Sequence, residues 1–162
     1  MRISGLTPFV PDSPRVLILG SMPSVASLDA GFYYAHPQNR FFKILSRLSG
    51  CELTDVESKK SVLRKMHIAL FDVIASCERE GSLDSAIKNV IPNDIAEFSR
   101  KYPTLKLVIT NGGLSKKLFI KYDLQNMPKG IEIRHLPSTS PANAAYSLDR
   151  LYKIYQEVLV DK

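Results

Sequence analysis

Four short apolar runs, each closing on small, polar or turn residues, constrain this chain more than any other feature: RVLILGS (15–21), HIALFDVIAS (67–76), LKLVITNG (105–112) and IEIRHLPS (131–138). Each has the length and apolar content of a short buried strand. Between and after them the apolar spacing takes a helical period: 40–49 closed by Gly50, 55–66, 93–101 ended by Tyr102-Pro103, 114–122, and 144–160. Thr54 followed by Glu57 has the spacing of a capping box and marks the start of the second of these helices. Strands that return to parallel partners need right-handed crossovers, and the crossing helices cover both faces of the sheet. The pattern predicts an α/β fold, a three-layer αβα sandwich around a central four-stranded parallel sheet. It also predicts a single domain over 1–162, because no repeat, low-complexity tract or linker interrupts it.

Open parallel sheets hold ligands beyond the carboxyl ends of their strands. The segments placed there are GSMPS, DVIAS, TNGG and LPSTSPAN, together with the aromatic loop AGFYYAHPQNRFF. GSMPS lacks both the Gly-x4-Gly-Lys-Ser/Thr and the Gly-x-Gly-x-x-Gly patterns, as does GGLSKK. It reads either as a tight strand-to-helix turn or as a turn whose Ser21 and Ser24 hydroxyls hold a phosphate. LPSTSPAN reads as helix capping by Ser140 or Asn143, or as hydroxyls and amides laid against a nucleic-acid backbone. Phe32, Tyr33 and Tyr34 suit a lid over the core or a stacking platform for an extruded base. Asn39 suits the N-cap of the helix that follows, or a carboxamide that orients a water or holds a base edge. Asp72, Glu78 and Asp84 sit where a general base would, though carboxylates in such loops are mostly solvated or capping. His135, at a strand end, reads as a structural histidine.

Composition excludes several classes. No apolar run nears the ~18 residues of a membrane span, and MRISGLTPFVPDSP has no apolar stretch of the signal-peptide kind, so the expected location is the cytoplasm. The two cysteines, Cys51 and Cys77, suit neither a four-cysteine cluster nor a zinc site and are expected to be packing residues. No metal and no cofactor is expected. Lys and Arg number 22 against 16 Asp and Glu, a net charge of +6 that favours polyanionic partners.

In order along the chain, LILGSMPS, YYAHPQNRFFKIL, DVIASCEREGSLD, TNGG and LPSTSPANA resemble the motifs of the uracil-DNA glycosylase superfamily over essentially its whole length. AHPQNRFFKIL is similar to the mismatch-specific uracil/thymine branch. GSMPSVASLDAGFYY with ASCEREGSLD and LPSTSPAN looks closest to the hypoxanthine-DNA glycosylase branch. The resemblance implies a monofunctional, metal-free enzyme that flips a deaminated base from double- or single-stranded DNA and hydrolyses its N-glycosidic bond in base-excision repair. Hypoxanthine from deoxyinosine is the expected substrate, with a uracil or mismatch glycosylase as the alternative and a monomer as the expected state.

The same resemblance implies the residue roles. Where most of the superfamily place a water-positioning Asp or Asn, this chain has Met22, and the catalytic role falls to Asn39. A carboxamide has no useful pKa near neutrality, so Asn39 would orient water rather than act as a strong base, as suits a transition state in which the sugar–base bond is largely broken. Base contact falls to Tyr34, Phe71, Asp72, Ser76 and Asn111. The DNA backbone and leaving base fall to Ser21, Ser24, Ser138, Thr139, Ser140, Ala142 and Asn143, with Ala142 small for a wedge and Phe42 where relatives often have Trp. Met22 also leaves room for a catalytically silent nucleic-acid-binding domain of this fold.

Overall fold

The computed structural model describes residues 2–160, so the expected domain limits at Met1, Asp161 and Lys162 lie outside the described residues. In chain order the elements are β1 (Arg2–Ser4), β2 (Val16–Gly20), α1 (Val25–Ala30), α2 (Phe41–Ser49), α3 (Val56–Met66), β3 (Ile68–Asp72), β4 (Ile74–Glu78), β5 (Lys88–Pro92), α4 (Ile95–Arg100), β6 (Leu107–Asn111), α5 (Gly113–Tyr122), β7 (Glu132–Leu136) and α6 (Leu148–Leu159). Strands β3-β2-β6-β7 form the four-stranded parallel sheet that the apolar runs predict.

The sheet is covered on both faces, as the lack of polar alternation in β2 requires. Val16 and Ile18 point into one cluster with Leu70, Ile109, Phe41, Leu63 and Tyr155, which α2, α3 and α6 complete. Leu17 and Leu19 point the other way, into a cluster with Val108 of β6, Ile95 of α4 and Phe119 of α5. Successive strand residues alternate faces, and a strand with apolar side chains at every position therefore serves two cores.

Three expectations need correction. HIALFDVIAS is two strands, not one. At Val73 the chain leaves the parallel ladder, its N–H going to Gly20 O (2.9 Å) and its C=O receiving Asn93 N (2.8 Å), and β4 then pairs antiparallel with β1 and β5 in a second, three-stranded sheet. The capping box at α3 is Asp55 with Ser58, one residue beyond the Thr54–Glu57 pair. The last helix is capped by Ser147 and not by Ser140 or Asn143, so 137–147 is an ordered non-helical loop.

Candidate active site

Beyond the carboxyl ends of β2, β3, β6 and β7 lies a cavity of about 820 Å³. The parallel register sets its floor. Gly20 is the partner of Asp72 across β2 and β3, and a Cβ at position 20 would stand 2.4 Å from Asp72 Oδ1 and 3.4 Å from the Tyr34 hydroxyl. Only glycine leaves room for both groups. Asp72 is 4% exposed, and its Oδ2 has no hydrogen-bond partner among the described residues. Burial pushes its carboxyl up to about 7, with the Arg79 guanidinium pulling the other way. The Tyr34 hydroxyl, beside Asp72 and Asn111, is also buried without a hydrogen bond of regular geometry, and burial with the Asp72 charge pushes its pKa up. Tyr34 has φ 54°, a region that bulky side chains rarely occupy, while its ring packs at 4.5 Å on Phe41.

Asn39 lines the mouth. It is not the N-cap of α2, which is Arg40. Its Oδ1 instead accepts from Phe41 N (2.9 Å), the turn that Asn makes with the backbone two residues on. An acceptor bond of this kind fixes the amide orientation and leaves the Nδ2 donors and one carbonyl lone pair for other partners.

The loop 137–147 forms the opposite wall and is held from several sides. Asn111 Nδ2 donates to Thr139 Oγ1 (3.0 Å), and Thr139 N donates back to Asn111 Oδ1 (2.9 Å), so Asn111 both lines the cavity and fixes the wall. Arg40 spreads its guanidinium over the carbonyls of Thr139 (3.2 Å), Ser140 (2.7 Å), Asn143 (3.0 Å) and Tyr146. The Tyr155 hydroxyl donates to Pro137 O (2.9 Å). Ser138 Oγ accepts from Ser140 N (3.1 Å), which leaves its proton free to donate, and Ser140 Oγ accepts from Ala142 N (3.2 Å).

Eleven of the thirteen expected site residues therefore line one cavity: Ser21, Ser24, Tyr34, Asn39, Asp72, Asn111, Ser138, Thr139, Ser140, Ala142 and Asn143. Phe71 and Ser76 do not. Phe71 alternates with Asp72 and packs on Phe98 at 5.2 Å on the far face, and Ser76 accepts from Arg2 Nη1 (3.0 Å) in the antiparallel sheet. Ser21 is engaged with Asp84 Oδ1 (3.1 Å), and Ser24 caps α1. Of the other acidic candidates, Glu78 pairs with Asn89 away from the cavity, whereas Asp84 lines it. His135 Nδ1 lies 2.6 Å from Thr110 Oγ1, and burial together with Lys116 lowers its pKa, which disfavours an imidazolium there. Met22 is 7% exposed, an apolar residue packed in the core. Gly20, Arg40 and Lys116 carry parts of the site that the sequence reading did not assign.

The uracil DNA glycosylase superfamily model matches residues 7–159. The chain belongs to that superfamily. Membership makes it a DNA N-glycosylase, a hydrolase acting on N-glycosyl bonds. It is 32% identical over 145 residues to a protein of Methanosarcina barkeri (strain Fusaro) named hypoxanthine DNA glycosylase, covering 88% of this chain and 89% of that one. A protein of Methanosarcina acetivorans with the same name is 33% identical over 148 residues, covering 90% and 91%. The solution structure of a uracil DNA glycosylase candidate from Methanosarcina acetivorans superposes with a TM-score of 0.77 at 29% identity, covering 97% of this chain and 98% of the other. Among the described residues no helix is long and apolar enough to cross a membrane, and no group of three or more His, Cys, Asp or Glu is placed to hold a metal ion.

Proposed function

We propose that this enzyme excises hypoxanthine from deoxyinosine in DNA, as a monofunctional, cofactor-independent step of base-excision repair carried out by a monomer in the cytoplasm. The observation that carries the reading is a pair of buried polar atoms without a hydrogen bond of regular geometry, Asp72 Oδ2 and the Tyr34 hydroxyl, on two residues that line a cavity of about 820 Å³. That volume lies within the roughly 300–1,000 Å³ of ligand sites and admits a purine. A carboxyl that is neutral near pH 7 presents one donor and one acceptor. Hypoxanthine presents a carbonyl beside an N–H and can pair with such a carboxyl; because a carboxyl pairs as readily with the amino group and ring acceptor of adenine, discrimination falls to a group of fixed polarity, the Asn111 amide whose orientation Thr139 sets. The two curated relatives named hypoxanthine DNA glycosylase support the same substrate.

In this mechanism the Tyr34 ring stacks on the flipped base. Asn39, held by Phe41 N, orients the attacking water on the sugar carbon as the sugar–base bond breaks. Ser138, with its hydroxyl proton free, donates to the departing base, and the Ser140 and Ala142 segment presses on the DNA backbone. Met22 cannot hold water, so the Asn39 amide supplies that function.

The test uses duplexes carrying deoxyinosine or deoxyuridine, with abasic products exposed by alkali. Cleavage at deoxyinosine is expected, and cleavage at deoxyuridine alone would assign the uracil reading instead. Asn39→Ala should lose at least about a hundredfold in excision rate while still binding duplex. Near-wild-type turnover in that variant would remove Asn39 from the mechanism.

A further inference from the structure

A second hollow of about 380 Å³ lies on the other side of the aromatic loop and shares Tyr34, His36 and Asn39 with the main cavity. Its walls carry three cations, Lys43 and Arg47 from α2 and Lys59 from α3, and among the described residues no acidic side chain lines it. Lys43 and Arg47 are four residues apart and so share one helix face. Lys59 reaches them from α3, its Nζ 5.0 Å above the Phe42 ring.

We propose that this hollow seats a backbone phosphate of the DNA strand that carries the flipped nucleotide. The inference rests on the reading of DNA as substrate and extends it to a hollow to which none of the expected roles assigns a phosphate. Two observations select a nucleic-acid strand as the occupant. The first is charge: three cations line an opening that no carboxylate among the described residues lines, and phosphate contacts of this kind position a protein on a strand without reading sequence. The second is continuity. Because the hollow and the cavity share the Tyr34–Asn39 segment, a strand whose base enters the cavity has its neighbouring phosphates within reach of α2.

The existing interactions do not block this role. Arg47 pairs with Asp149 at 2.7 Å, but both side chains are largely exposed, and surface pairs contribute only ~0–1 kcal/mol, so a phosphate can replace the carboxylate. The Arg47 guanidinium also lies 4.0 Å over the Tyr152 ring, which holds its planar face while leaving its edge to bond an oxyanion.

The experiment measures binding of a duplex by fluorescence anisotropy over a salt series. Each lost phosphate contact removes about 0.9 from the slope of log K against log salt, so the Lys43→Gln/Lys59→Gln double variant, which loses the one phosphate seated here, should be shallower by about 0.9. Lys106→Gln, which changes an exposed lysine at the amino-terminal end of the sheet, should keep the wild-type slope. An unchanged slope in the double variant overturns the proposal. So does loss of inorganic phosphate binding in that variant without any change in the DNA slope, which would make the hollow a small-anion site. A wild-type protein that binds duplex steeply yet excises no base would overturn the glycosylase reading and not this one. Wild-type excision together with an unchanged slope in the double variant would overturn this one alone.

Discussion

Replacing Asp72 by Asn tests the electrostatics of the site directly. The free-chain carboxyl titrates at 3.8 and the folded one at about 7, a difference of roughly 3 units or roughly 4 kcal/mol. The sign follows from proton binding. Between the two values the folded state holds the proton more tightly than the unfolded chain, so this group's contribution to stability falls as pH rises from about 4 to about 7 and stays low above that. Asn cannot ionise, and Asp72→Asn removes the decline. Asp123, raised by burial to about 6, tilts the same way but is common to both proteins and cancels in the difference. From pH 5 to pH 8 the stability gap between variant and wild type should widen in the variant's favour by roughly 3 kcal/mol, or about 6–12 °C in Tm for a chain of this size. Urea denaturation followed by circular dichroism at the two pH values reads this gap. A gap constant to within about 1 kcal/mol would mean that Asp72 is ionised throughout, and the argument from its unpartnered oxygen would fail. Because an amide also presents one donor and one acceptor, the variant should still excise deoxyinosine, and the wild type alone should lose rate above pH 7.

Two other substitutions probe the supports. Gly20→Ala puts a methyl group 2.4 Å from Asp72 Oδ1, so it should cost roughly 1–3 kcal/mol in denaturation and displace the carboxyl enough to lower excision. Arg40→Lys keeps the charge but loses the fork that spans the carbonyls of Thr139, Ser140 and Asn143. Stability should fall by roughly 2–3 kcal/mol, and limited proteolysis should cut within 137–147, where the wild type resists.

The parallel sheet is legible in the sequence because β2 and β6 must be apolar on both faces, a pattern that few other structures produce. The second sheet is not. Residues 68–75 are apolar except for Asp72, and only pairing with β1 and β5, short strands with few apolar residues, divides them at Val73. The start of α6 departs from the apolar spacing for a similar reason. PANAAYS has residues that favour a helix, but Arg40 already binds the carbonyls of Ser140, Asn143 and Tyr146 and holds the backbone in another course. Most of the residues that motif order singles out line one cavity, since strand ends converge in this fold. Strand alternation turns Phe71 to the far face, and the break at Val73 carries Ser76 into the second sheet. Arg40 went unassigned because its acceptors are backbone carbonyls, which leave no mark in side-chain sequence.

Those acceptors lie 99 to 106 residues downstream of Arg40. At 5–20 residues per second, a ribosome needs roughly 5–20 s to make the intervening chain. During that interval Asn39 and Tyr34 are already synthesised while the wall that faces them does not exist. The Asn39 amide therefore acquires its facing surface only when the last quarter of the protein is made, and a nascent chain stalled before that point holds Asn39 and Tyr34 without the wall that closes their cavity.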